Sequence, residues 1–165
     1  MTSMEMQFAI AAYKDGISLG KEPDMVYENM PVWYAPNSTK AVGVVGAAAI
    51  ELKIGGHCII YDDVFASLSD DTKSFILAHE AGHIKNGDTP FTSFKDQLKY
   101  LIACNYGISI REFNADRRAS EKVGIKQSID ALKELSLTIG TRSAKRQCRN
   151  RAFALRLLSV VKAFA

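Results

Sequence analysis

The chain predicts an α+β fold, with a small twisted sheet packed on a central helix and an all-helical C-terminal half. Three observations predict it. Short β-like runs punctuated by proline and glycine fill the stretch up to Tyr61. From Ser69 onward the apolar residues recur at helical spacing. The strand runs also precede the helices instead of alternating with them, which is the order of an α+β domain and not of βαβ units. With 165 residues, 47% hydrophobic and 24% charged, the chain fits one domain spanning residues 1–165.

Taken in order, residues 4–14 (MEMQFAIAAYK) read as an amphipathic helix ending near Gly16 or Gly20. Lys21 to Lys40 holds Pro23, Pro31 and Pro36 and reads as irregular, with one short strand around Val32 to Tyr34. Ala41 to Lys53 and His57 to Tyr61 flank Gly55-Gly56 and predict two neighbouring antiparallel strands. The first of these is expected at the sheet edge. Ser69, Asp70 and Asp71 supply an N-cap and an acidic first turn, and Gly87 closes that helix. Further helices are predicted from about Ser93 to Cys104, from Ile108 to Lys122 before Gly124, after Ser128, and from about Thr141 to the end.

Bulk chemistry removes several classes. Cys58, Cys104 and Cys148 are odd in number and form no CxxC pair, so neither a disulfide framework nor a thiolate zinc site is indicated. The N-terminus has no basic run before its apolar residues and meets Glu5 at once, unlike a secretory leader. The apolar run Ala152 to Ala165 is short and carries Arg156 and Lys162, so no membrane insertion is expected. A soluble, cytoplasmic protein is the expectation. Charge is uneven: beyond Glu134 come seven basic residues and no acidic one, while the preceding chain has fourteen basic against eighteen acidic. The last helix is therefore +7 and the rest −4, which raises an acidic partner or a nucleic acid as a ligand for that helix.

The chemistry sits at His79-Glu80-Ala81-Gly82-His83, an HExxH motif on a predicted helix. Residues i and i+4 share a helix face, so the two imidazoles can grip one ion, while Glu80 is offset by about 100° and can reach water beside it. Two imidazoles and a carboxylate suit Zn2+, and a carboxylate near the metal can act as general base. The plain alternative is an amphipathic helix with two incidental histidines. The third ligand weighs against it. A His-rich continuation would need glycine at 86 and histidine at 89, where Asn86 and Thr89 stand. Downstream, Arg111-Glu112-Phe113-Asn114-Ala115-Asp116 puts Glu112 and Asp116 four apart on one face. Glu112 can complete a His2Glu set, and Asp116 can hydrogen-bond the far nitrogen of a liganding histidine. Alone, that pair would read as a solvated charged face beside Arg117 and Arg118. His57, in a strand, reads first as a packed or surface residue. Tyr100, Tyr106, Arg111, Arg117 and Arg118 are open candidates for stabilising an oxyanion.

HEAGHIKNGD followed by EFNADRRAS resembles the gluzincin group, and most closely the family of prenyl-protein and heat-shock membrane peptidases. The pattern E-x-x-A-D-x-x-A stands here as Glu112, Ala115, Asp116 and Ala119, and the likeness covers about residues 37–120. It implies a zincin-like core, a sheet packed on the HExxH helix. Two departures stand out. No membrane-spanning run is present, and Asn37-Ser38-Thr39-Lys40 replaces an Asn-Ala-Phe-Ala-like segment. The expected function is a zinc-dependent endopeptidase acting on peptide or protein substrates, with His79, His83 and Glu112 on the metal and Glu80 as base. A regulatory protease that cleaves a repressor is the second reading, although such proteins commonly carry asparagine where Asp116 stands. A zinc-containing binding module that docks an acidic partner or nucleic acid through the basic helix is the third. A structural zinc site has no use for Glu80, which favours an enzyme.

Overall fold

The computed structural model describes residues 22–36, 39, 45–51, 56–86 and 109–164. The helices expected at 4–14 and 93–104, together with Cys104, Tyr100 and Tyr106, lie outside those residues. Among the described residues, one compact unit ends at Ser67 and a second begins at Leu68.

The first unit is a four-stranded sheet in the order β1-β2-β4-β3. β1 (Met25–Tyr27) pairs antiparallel with β2 (Met30–Tyr34), β2 runs parallel to β4 (His57–Tyr61), and β3 (Ala47–Glu51) pairs antiparallel with β4. The expected β3–β4 pairing is present, in the register Ala47↔Tyr61 through Glu51↔His57, and β3 is an outer strand of this sheet. The 21–40 stretch departs from expectation, since it holds two strands and not one. Glu28 and Asn29 turn between them with φ of 49° and 65°. That left-handed turn fits a two-residue hairpin, but without glycine it gives little sequence signal. Cys58, Ile59 and Ile60 are all buried, as in a strand covered on both faces. Asp62 then caps a short unpredicted helix, α1 (Asp63–Ser67), through the amides of Val64 (2.9 Å) and Phe65 (3.2 Å). Its other oxygen accepts from the Gly46 amide at 2.9 Å, tying the start of β3 to the end of β4.

The second unit is helical. α2 (Asp70–Asn86) carries the HExxH residues, followed by α3 (Ile110–Val123), α4 (Ile125–Thr138) and α5 (Arg142–Phe164). From Phe75 to Gly82 every residue of α2 but Glu80 is buried, so α2 is the central helix of this unit and not a surface one. Ala115, Ala119, Leu132, Leu135, Cys148, Ala152 and Leu155 bury the facing stripes of the others. The start of α2 is held twice. Ser69 Oγ accepts from the Thr72 amide at 3.4 Å, and Glu134 on α4 accepts from the Ser69 amide (2.9 Å) and the Ser69 and Thr72 hydroxyls (2.6 and 2.5 Å). A carboxylate thus stands at the positive end of α2. α4 starts at Ile125, earlier than expected from Ser128. Gly124, at φ 92°, supplies the break between α3 and α4, while the buried Ser128 hydroxyl bonds back to the Gly124 carbonyl at 2.9 Å. No helix among the described residues is long and apolar enough to cross a membrane.

α5 carries a buried stripe of Cys148, Ala152 and Leu155 and an exposed basic one of Arg142, Arg149 and Arg156, with Ala144 and Lys145 half-buried between solvent and core. Arg151 breaks the pattern. Only 16% of its side chain is exposed, and it points among the acidic residues of α3.

Candidate metal centre

His79 and His83 stand one turn apart on α2, and Glu112 and Asp116 one turn apart on α3. What lets the two pairs meet is the size of the residues between them. A Cβ on Gly82 would lie 3.2 Å from the Ala115 Cα and 3.3 Å from its carbonyl oxygen. The glycine of HEAGH and the alanine of the E-x-x-A-D stretch, Ala115, are thus the surfaces on which the helices touch. Gly82→Val is expected to drive α2 from α3 and to lower metal affinity measurably by chelator competition. Gly82→Ala should be far milder, because a gain of about 1 kcal/mol in helix propensity offsets a tight contact.

Three ligand-type atoms converge from these helices. The Nε2 atoms of His79 and His83 are 3.0 Å apart, and each lies 3.2 Å from one oxygen of Glu112: Oε2 for His79, Oε1 for His83. These three are the one such group among the described residues. His57 is not part of it; it lies on β4 opposite Glu51. Ligands about 2.0–2.1 Å from a tetrahedral zinc ion stand about 3.3 Å from one another, and each of these three separations is close to that value. The chemistry fits as well. His79 Nδ1 is 2.8 Å from Asp116 Oδ1, which commits its proton there and leaves Nε2 turned towards His83 and Glu112.

Arg151 completes the arrangement. Its Nε and Nη2 donate to Asp116 Oδ2 and Oδ1 at 2.8 and 2.6 Å, and its Nη1 lies 3.0 Å from Glu112 Oε2. Nη2 also lies 3.2 Å from His79 Nδ1. Both of these nitrogens are donors, so the contact reflects a shared acceptor, Asp116 Oδ1, and not a bond between them. In the sequence Arg151 is one of the seven basic residues beyond Glu134, with nothing in the charge count to set it apart.

The charges respond accordingly. Burial would raise Asp116, which is 0% exposed, but Arg151 and then His79 hold its carboxyl below the usual range. Burial acts the same way on Glu112, and Arg151 and His79 again prevail, holding it well below an ordinary carboxylate. For His79, burial and Arg151 oppose the charged form, yet Glu112 and Asp116 outweigh them and push the imidazole up to about 10. The site therefore demands positive charge beside His79, which a proton or a metal ion can satisfy. Glu80, the neighbour of His79 on α2, is half-buried. Of the oxyanion candidates, Arg117 is engaged with Glu121 at 2.8 Å, and Arg111 and Arg118 are half-buried.

Two helix-borne imidazoles, a carboxylate and a neighbouring glutamate are the donor set of a metal-dependent hydrolase. The model of Peptidase family M48 matches residues 32–159, and the chain belongs to that family, whose members are metal-dependent peptidases. The match runs past the 37–120 span of the motif likeness and takes in α4 and most of α5, Arg151 included. No curated protein and no solved structure matches the chain.

Proposed function

We propose that this protein is a zinc-dependent endopeptidase in which His79, His83 and Glu112 hold the metal and Glu80 is the general base. The observation that carries the reading is the convergence of His79 Nε2 and His83 Nε2, 3.0 Å apart and each 3.2 Å from one of the two Glu112 oxygens, with one ligand atom of each residue within 4.8 Å of the others. Zinc, when bound, supplies Lewis acidity, making water acidic near neutral pH and polarising a carbonyl. The chain's own residues do the rest. Asp116 takes the Nδ1 proton of His79 and fixes that ring's tautomer and direction. Glu80, one residue along the helix from His79, accepts a proton from the attacking water and returns it to the leaving amine. A set of three protein ligands, the one found among the described residues, fits a catalytic site better than a structural one, because a place remains for water and substrate. The family match supports peptide or protein as the substrate.

The purified protein is expected to hold about one zinc per chain and to cleave an unfolded protein such as denatured casein. Cleavage should stop with a chelator and return with added zinc. A metal-free preparation that cleaves equally well, or a protein that takes up no zinc, would overturn the proposal.

A further inference from the structure

The metal-site reading leaves one strongly held group without a task. Arg151 comes from α5, 35 residues beyond Asp116, and bridges Glu112 and Asp116 of α3. A guanidinium has five donors in a rigid fork, and three of its nitrogens are used here. Nε and Nη2 grip both oxygens of Asp116, at 2.8 and 2.6 Å, which fixes the plane of that carboxylate. Asp116 Oδ1, so fixed, is also the partner of His79 Nδ1 at 2.8 Å. Nη1 then reaches Glu112 Oε2 at 3.0 Å, leaving Oε1 beside His83.

We infer that Arg151 is the positioning residue of the metal site, holding Glu112 by one oxygen and Asp116 against His79. The inference rests on the metal-dependent reading above. Two physical arguments support it. Glu112 and Asp116 are a turn apart, and Asp116 is fully buried, so the two charges would repel one another without a fixed cation between them. A carboxylate with both oxygens free can also take a metal through both, which would fill the place that water needs. With Oε2 held by Arg151, Glu112 is restrained to give one. The α5 helix is then part of the site, and its basic character at position 151 has a different origin from the exposed arginines around it.

The test compares Arg151→Lys and Arg151→Met with the wild-type full chain, after circular dichroism has shown them folded. Zinc affinity, by competition with a chromophoric chelator, is expected to fall about 10–100-fold in Arg151→Met. Arg151→Lys, which keeps the charge and loses the fork, should fall between it and wild type. In the cobalt-loaded proteins the visible bands of a four-coordinate ion should weaken in Arg151→Met as Glu112 becomes free to bind through both oxygens. Guanidinium added to Arg151→Ala should restore affinity and spectrum, whereas ammonium should not. If Arg151 were only a structural ion pair, the folded variants would lose thermal stability yet keep wild-type zinc affinity and cobalt spectrum. That result would overturn the inference and leave the metal site standing. Should Arg151→Met not fold, the double variant Arg151→Met/Asp116→Asn removes both buried charges. It is expected to fold without regaining affinity, and wild-type affinity there would equally overturn the inference. A wild-type protein that binds no metal would overturn both this and the reading beneath it.

Discussion

Glu80→Gln is expected to keep the fold and the zinc while losing at least about 100-fold in peptide hydrolysis. The substitution is nearly isosteric and removes only the ability to accept a proton. Glu80 is not in the group of His79, His83 and Glu112 that could hold a metal ion among the described residues. Elemental analysis should therefore return the wild-type metal content. The loss should fall on kcat with KM little changed, because the proton is taken in the transition state and not in the bound ground state. Loss of zinc along with activity would assign Glu80 to the ligand set. Wild-type turnover with zinc retained would remove it from the chemistry altogether. The same variant is the natural bait for physiological substrates, since it should bind what it can no longer cut.

How much of this is legible in the sequence follows from how local each feature is. His79 and His83 depend only on helical geometry over one turn, and their convergence is readable from spacing. Glu112 and Asp116 repeat that spacing, but their meeting with α2 depends on Gly82 lying against Ala115, a packing contact between separate segments. Arg151 depends on a partner 35 residues away, and charge counting places it with the solvated arginines of the tail. A signal for it exists all the same. Cys148, Arg151, Ala152 and Leu155 follow spacings of 3, 4 and 7, so Arg151 lies on the buried stripe, where a cation needs a carboxylate partner. The hairpin β1–β2 was illegible because Glu28 and Asn29 adopt left-handed backbone without glycine. Helix α1 is five residues long and depends on the Asp62 cap more than on any period. Ser128 has the composition of an N-cap but the position of a buried helix residue, which moved the expected start of α4.

His79→Ala, His83→Ala and Glu112→Ala are each expected to abolish stoichiometric zinc binding, a larger loss than the roughly 10–100-fold expected for Asp116→Asn. The difference separates residues that would touch the metal from one that acts through His79. Asn in place of Asp at 116 keeps a hydrogen-bond acceptor for His79 Nδ1, whereas alanine would leave the buried Arg151 guanidinium with Glu112 alone and cost about 3–5 kcal/mol in stability. Binding should also depend on pH, with a sign set by His79. Its folded-state pKa is raised towards about 10 by Glu112 and Asp116, against the opposing effects of burial and Arg151. Bound proton therefore stabilises the metal-free protein fully below the unfolded value of about 6.5, and that contribution is lost as pH rises through about 10. Near neutral pH zinc must displace this proton, so affinity should rise with pH and uptake should release protons. Titration calorimetry in buffers of different ionisation enthalpy would count them. The Glu112→Ala protein gives the sharpest check, because it removes a ligand and one of the two carboxylates that favour the proton on His79. Full zinc occupancy in it would take Glu112 out of the ligand set. Asp116, already committed to His79 and to both prongs of Arg151, would have to break those bonds to replace it.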